Sequence, residues 1–231
     1  HPTDTNNILV RSSNDVYQSI DGGTTWASIL YLGWNEAAYE IKFHPTQPDT
    51  IYVAGSVGLH RTYDGGTTWT PIYTDACYDI TFHASSPDTV YLLKENPTAV
   101  RAELFRSEDG GTTWNIKDNG WFVPSDPANA LVRGGKIGIS AADPNIIYVG
   151  LIGDGKSGDN GWIGVYRSYD KGDNWTNPQG QDGSPYQATN TNPWNVAAYN
   201  SGYHQGFYNF DMIVSDVNPG KILVGTVRLS M

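Results

Sequence analysis

The sequence contains a single cysteine, Cys77, so no disulfide can close within the chain and cysteine usage is silent on redox compartment. Charge is also scarce: 16% of the 231 residues are Asp, Glu, Lys or Arg, too few for disorder driven by self-repulsion. The 24 acids outnumber 14 scattered Lys and Arg, giving a net charge of −10. Phosphate backbones are gripped by clustered positive charge, which excludes a nucleic-acid partner. No stretch approaches the roughly 18 consecutive apolar residues of a membrane span, and no basic, then apolar leader opens the chain. Zinc spacings, Gly-rich phosphate loops and nucleophile elbows are missing too. What abounds is punctuation. The 26 Gly and 13 Pro point to many turns between short strands, on a length suited to one large domain or two small ones.

The turns recur. Ser19 to Trp26, Thr62 to Trp69, Ser107 to Trp114 and Ser168 to Trp175 share an eight-residue box with Asp at its third position and Trp at its last, at Trp spacings of 43, 45 and 61 residues. Between boxes lies a Pro-containing turn followed by a β-branched run: Pro2 to Val10, Pro45 to Val53, Pro87 to Leu92, Pro144 to Val149 and Pro219 to Val224. A period in the low forties built of strand formers predicts a β-propeller of four-stranded antiparallel blades. The chain reads as one such segment, 1–231, with repeats of about 1–38, 39–77, 78–134, 135–209 and 210–231. In the second repeat the strands fall at Glu40 to Phe43, Ile51 to Ala54, Leu59 to Thr62 and Thr68 to Ile72, counted from the axis outward. The first repeat starts at its second strand and the last ends after its second, seventeen strands in all. That count, with His1 in place of an initiator Met, predicts a processed product or a piece of a longer polypeptide that continues into further blades.

The pairs Asp21 and Trp26, Asp64 and Trp69, Asp109 and Trp114, and Asp170 and Trp175 carry a resemblance to the Asp-box, or bacterial neuraminidase repeat. With the Pro-turn and the Ile-Tyr-Val strand, the chain is most similar to xyloglucan-degrading glycoside hydrolases and sortilin-type propellers. The resemblance implies a secreted or cell-surface propeller in which each box staples the hairpin between third and fourth strands. Thr62 replaces the usual opening Ser and Asn174 a usual Thr, departures that predict looser turns in boxes two and four. Sialidase activity is rejected: Arg61, Arg106 and Arg167 hold one repeated position before a box, and the Phe-or-Tyr-Arg-Ile-Pro sequence of that family is absent.

Antiparallel strands alternate their connections between the two faces of a disc, so Pro-turns and boxes share one face. The residues by which the later repeats are longer, Glu95 to Ala102, Asn115 to Gly135, Gly153 to Gly164 and Thr176 to Asn209, then belong to the other. Their aromatics, interleaved with amides and carboxylates, have the chemistry of a glycan groove. Trp34, Trp121, Trp162, Trp194, Tyr203, His204 and Tyr208 are the candidate sugar platforms. Glu40, Asp79, Lys136 and Asp211 open the four innermost strands, and paired carboxylates there make Glu40, Asp79 and Asp211 the catalytic candidates for glycoside hydrolysis. The same acids also suit pairing with Lys42 or Lys136. Asp154 and Asp159 sit on a Gly-rich loop with oxygen ligands of the calcium type, but without the spacing of a twelve-residue calcium loop, so a solvated hairpin tip is expected and no cofactor is required. The partner expected is a polysaccharide or glycoprotein glycan, and the enzyme question stays open. The competing reading is a non-enzymatic propeller that binds protein, or a structural subunit of an extracellular assembly.

Overall fold

The computed structural model describes residues 1–99, 101–121, 132–153, 162–180, 210–225 and 229–230. These residues hold no helix and form five antiparallel sheets. The first is β1 (Ile8–Arg11), β2 (Asp15–Ser19) and β3 (Ala27–Tyr31); the second is β4 (Ala38–Phe43), β5 (Ile51–Gly55), β6 (Gly58–Thr62) and β7 (Thr70–Tyr73). The third comprises β8 (Cys77–His83), β9 (Ser86–Asn96), β10 (Arg101–Ser107) and β11 (Asn115–Ile116), and the fourth β12 (Val132–Ile139), β13 (Ile147–Gly153), β14 (Trp162–Ser168) and β15 (Thr176–Gly180). The fifth has β16 (Asp211–Val214), β17 (Ile222–Gly225) and β18 (Leu229–Ser230). Within every sheet the strands follow chain order, and β4, β8, β12 and β16 lie side by side. This is propeller architecture. Two expectations change: the last repeat has a third strand, β18, and the Glu95 to Ala102 insertion largely lengthens a hairpin whose ladder runs out to Asn96 opposite Arg101.

The core is divided into seams between blades. Second strands such as Ile51 to Ala54 are buried along their whole length, as expected of a strand covered on both faces. Leu93, Leu104, Val149, Leu151, Tyr166 and Trp175 fill the seam between the third and fourth blades.

The boxes supply polar joints across these seams. In box one the Asp21 carboxylate accepts from Ser19 Oγ (2.8 Å), Thr25 N (2.8 Å) and Thr25 Oγ1 (2.6 Å), while Ser19 Oγ accepts from Gly23 N (2.8 Å). Gly23 N and Thr25 N are thereby satisfied within the box, and Gly22 N donates to Asn6 O of the preceding turn at 3.0 Å. Boxes two and four are not looser. Thr62 Oγ1 reaches Asp64 at 2.7 Å, and Asn174 Nδ2 reaches Asp170 at 2.6 Å in place of a Thr hydroxyl. Positive φ is needed at two adjacent positions, Gly65 (69°) and Gly66 (96°) for example, and in box four Lys171 adopts 59° despite its side chain. The carbonyls of these turns serve the neighbouring blade: Arg61 Nη1 and the Tyr52 hydroxyl both donate to Gly110 O at 2.7 Å, and Arg106 Nη1 donates to Lys171 O at 2.9 Å. In the reverse direction Trp69 Nε1 donates to Ile29 O (2.7 Å) and Trp175 Nε1 to Lys117 O (3.1 Å), each on the outer strand region of the preceding blade. The residue that closes each innermost strand caps the Pro-turn: His44 Nδ1 accepts from Gln47 N at 3.1 Å, and Ser215 Oγ accepts from Asn218 N at 3.2 Å. Burial lowers the pKa of His44 and of His83, a neutral form that suits an acceptor nitrogen.

Ser107 is fully buried and bonded to both Asp109 and Gly111 N, so Ser107→Ala is expected to cost about 1–3 kcal/mol of unfolding free energy by strand-ing Gly111 N–H without a partner. Thr112→Ala, which removes only an exposed bond to Asp109 O, is expected to stay within about 0.5 kcal/mol. Urea unfolding of both variants measures the difference.

Candidate functional site

The connections β1–β2, β3–β4 and β5–β6 meet on the face away from the boxes and are tied to one another. Leu32 N donates to Asn14 O (2.9 Å), Ala38 N to Ser13 O (2.8 Å) and Ser56 N to Ala37 O (2.8 Å). Within this network the turn carrying Trp34 is held from three sides: Asn14 Nδ2 donates to Gly33 O at 3.0 Å, Ser56 Oγ to Glu36 Oε2 at 2.7 Å, and Ala37 N to Ser56 Oγ at 2.8 Å. Gly33 and Asn35 on either side of Trp34 adopt positive φ, 122° and 65°. The geometry turns the indole outward, where it is 86% exposed. A large apolar side chain is thus held in water on a hydrogen-bonded turn.

Three inner strands converge on one ammonium, though β4, β8 and β12 begin before Glu40, Asp79 and Lys136, which therefore lie within the strands and do not open them. Lys136 Nζ lies 2.6 Å from Glu40 Oε2 and 3.8 Å from Asp79 Oδ1, and Lys42 Nζ sits 3.0 Å from Glu40 Oε1. Asp79 also bridges two blades through its backbone partners: Oδ1 accepts from Ile80 N at 3.0 Å and Oδ2 from Ile137 N at 2.7 Å. Burial pushes the Asp79 carboxyl up to about 7, against the pull of Lys136. Burial likewise opposes ionisation of Glu40, but Lys136 and Lys42 outweigh it and the pKa falls. For Lys136, desolvation is outweighed by the charges of Asp79 and Glu40, with a smaller contribution from Asp211, and the pKa rises. Asp211 itself is exposed, its Oδ1 accepting from Met212 N at 2.9 Å. Tyr39 and Tyr78, each one residue before Glu40 and Asp79, stack with ring centroids 6.3 Å apart.

The structure therefore brings Glu40, Asp79 and Lys136 together with Asp211 at their margin, and it separates the two described Trp candidates. Trp121 requires correction: it is 5% exposed, donates through Nε1 to Ala102 O at 2.8 Å and packs edge-on against Trp175 with centroids 4.8 Å apart. Its segment runs along box four, where Asn119 O accepts from Trp175 N at 2.9 Å, so the indole fills the seam between blades and offers no face to a sugar. Trp162 opens β14. Trp194, Tyr203, His204 and Tyr208, and the calcium candidates Asp154 and Asp159, lie outside the described residues. Reading the sequence missed Ser56 and Asn14 as supports of the Trp34 turn, because their partners are distant in the chain. It also missed the Tyr39–Tyr78 stack, which the repeat alignment signals by placing a Tyr before each of the two acids.

Comparison with known proteins fits this architecture. The Sortilin-Vps10 family model, described as sortilin, neurotensin receptor 3, matches residues 14–121. No curated protein matches the sequence. Among solved structures, an ancestral GH74 enzyme superposes with a TM-score of 0.64 at 16% identity over 100% of this chain and 29% of that chain. The GH74 enzyme of Niastella koreensis and the GH74 xyloglucanase of Xanthomonas campestris each give 0.65 at 16% identity over 97% of this chain and 34% of theirs. The chain thus spans about a third of the length of these structures and shares their propeller fold.

Because the Asp79 pKa rises from 3.8 to about 7 on folding, the native state holds an extra proton between those values. Its contribution to stability is complete below about pH 4 and is lost as pH rises to about 7. Subtracting the unfolding free energies of Asp79→Asn from those of the parent, pH by pH, is expected to leave a difference that declines across this window and levels above it. A difference that climbs instead would mean that the ionised acid is the form the fold prefers.

Proposed function

We propose that this propeller binds a polysaccharide on the face opposite the boxes, in a secreted or cell-surface setting, with Trp34 as the platform for one sugar ring. The observation that carries the reading is the exposed indole on its hydrogen-bonded turn. Stacking a pyranose face on an indole removes apolar surface from water on both sides, and a turn already held in place loses little entropy on binding. The segment 181–209 between β15 and β16 is rich in aromatics, among them Trp194, Tyr203, His204 and Tyr208, and with Trp162 these remain candidate sugar contacts by composition alone. The fold shared with GH74 enzymes, one of them named a xyloglucanase, makes β-glucan chains the first ligands to test.

Glu40, Asp79 and Asp211 are assigned no hydrolytic step. Both Asp79 oxygens accept backbone N–H groups, and both Glu40 oxygens pair with lysines, so the proposed role of these two acids is to tie three inner strands together beside the binding surface. A second reading, a propeller that takes a protein or peptide ligand, is favoured by the sortilin family match over residues 14–121.

Affinity electrophoresis through xyloglucan and other soluble polysaccharides distinguishes the readings. The parent protein is expected to be retarded by at least one of them, and Trp34→Ala to bind at least about threefold more weakly with an unchanged melting temperature. Equal retardation of the two proteins, or retardation by none of the polysaccharides, would overturn the proposal. Release of reducing ends by the parent and its loss in Asp79→Asn would overturn the assignment of that acid to bracing alone.

A further inference from the structure

The end of the inner strand can be compared between blades: His44 stands there in the second, His83 in the third, Ser140 in the fourth and Ser215 in the fifth. All four supply a side-chain acceptor to the turn that follows. His44 Nδ1 accepts from Thr46 N at 3.3 Å and Gln47 N at 3.1 Å, and His83 Nδ1 from Ser85 N at 3.4 Å. Ser140 Oγ accepts from Ala142 N at 3.1 Å and Ser215 Oγ from Asn218 N at 3.2 Å. A backbone amide can only donate, so both imidazoles are unprotonated at Nδ1. A hydroxyl accepts at any pH, an imidazole only while it is neutral. Both His are buried, 2% and 3% exposed, and each faces the next blade. Against His44 stand the Phe82 ring, edge-on with centroids 5.3 Å apart, the Pro87 backbone, and Asp88, whose Oδ1 lies 3.6 Å from Nε2. Against His83 stand the Pro144 backbone and two cations, Lys171 in the box of the fourth blade and Arg106 on β10.

We propose that His44 and His83 make the seams between the second, third and fourth blades acid-sensitive: a proton gained at Nδ1 removes the acceptor that holds the turn and leaves a positive charge between blades. The surroundings disfavour that charge. Burial lowers both pKa values from 6.5; at His44 the pull of Asp88 and the Pro87 backbone does not outweigh it, and at His83 Lys171 and Arg106 reinforce it. The unfolded chain therefore takes up these protons first. The contribution to stability is complete above about pH 6.5 and is lost as pH falls through the lowered folded values. Asp79, toward the other end of β8, responds with the opposite sign, so a whole-molecule melt mixes two opposed effects and the loosening belongs to the Pro-turns alone. The inference is independent of the glycan reading, since it uses the face of the boxes and not the Trp34 turn.

The test is hydrogen exchange of the whole chain between pH 7 and pH 5, each amide expressed as protection relative to an unstructured peptide at the same pH. Protection of Thr46, Gln47 and Ser85 is expected to fall at least about threefold, since each pH unit between the unfolded and folded pKa values changes an opening constant by up to about tenfold. The Asn218 amide, capped by Ser215, is expected to hold its protection. Replacing both residues, His44→Ser with His83→Ser, keeps the kind of acceptor that the fourth and fifth blades use and is expected to abolish the dependence on pH. Protection of Gln47 and Ser85 that does not change with pH, an equal fall at Asn218, or the same fall in the double variant overturns the proposal. Should the double variant not fold, nitrogen chemical shifts of the parent's imidazoles decide: Nδ1 protonated in step with the loss of Gln47 protection supports the proposal, and Nδ1 protonated with that protection retained overturns it.

Discussion

A tight turn whose amides are satisfied within its own blade leaves its carbonyls free to accept from elsewhere, and the joints between blades depend on that asymmetry. The box carboxylate and the opening hydroxyl take the N–H groups of the hairpin, as at Asp64 and Thr62. The carbonyl after the box Asp then points across the seam, where Gly110 O receives Arg61 and Tyr52, and Lys171 O receives Arg106. The box Trp answers in the opposite direction, Trp69 to Ile29 O and Trp175 to Lys117 O. The third and fourth blades are thus each both donor and acceptor toward the other, which pairs polar groups that the seam would otherwise bury unsatisfied.

With one face committed to these joints, the connections on the other are tied to one another instead. The turns 12–14, 32–38 and 56 interlock by backbone hydrogen bonds, so Trp34 is displayed on a scaffold instead of hanging from a loop. Next to it, carboxylates on β4 and β8 share the ammonium of Lys136 on β12. Two acids and two lysines in a partly buried cluster titrate unequally: Lys136 and Lys42 outweigh burial and lower the Glu40 pKa, whereas burial pushes Asp79, deeper and farther from Lys136, up to about 7. The cluster ties the second, third and fourth blades together beside the surface proposed to bind sugar.

Much of this was legible before any coordinates. The box spacing and the β-branched runs specify short strands and tight turns, and alternation of the connections follows from antiparallel pairing alone. The convergence of Glu40, Asp79, Lys136 and Asp211 was legible too, because residues at one repeat position must circle the axis. The strength of boxes two and four is not legible in the sequence, since a Thr hydroxyl and an Asn amide place donors where Ser and Thr do, and residue identity does not report that equivalence. The extension of β9 and β10 to Asn96 and Arg101 escaped notice because Glu95 and Asn96 are poor strand formers held in the ladder by their partners.

Trp34 and Trp121 mark the boundary between the two kinds of information. Both are Trp residues in segments between blades, and local sequence does not separate them. Trp121 is drawn inward because Ala102 O and the Trp175 ring lie within reach of its indole, partners that only the docking of one blade on the next creates. Trp34 stays outside because Gly33, Asn35, Asn14 and Ser56 hold its turn away from any such pocket. The repeat pattern determined which strands pair and which face each connection occupies, because those follow from period and antiparallel order. Whether a given aromatic on that face meets solvent or a neighbouring blade was decided by tertiary structure, because burial depends on atoms far away in the chain.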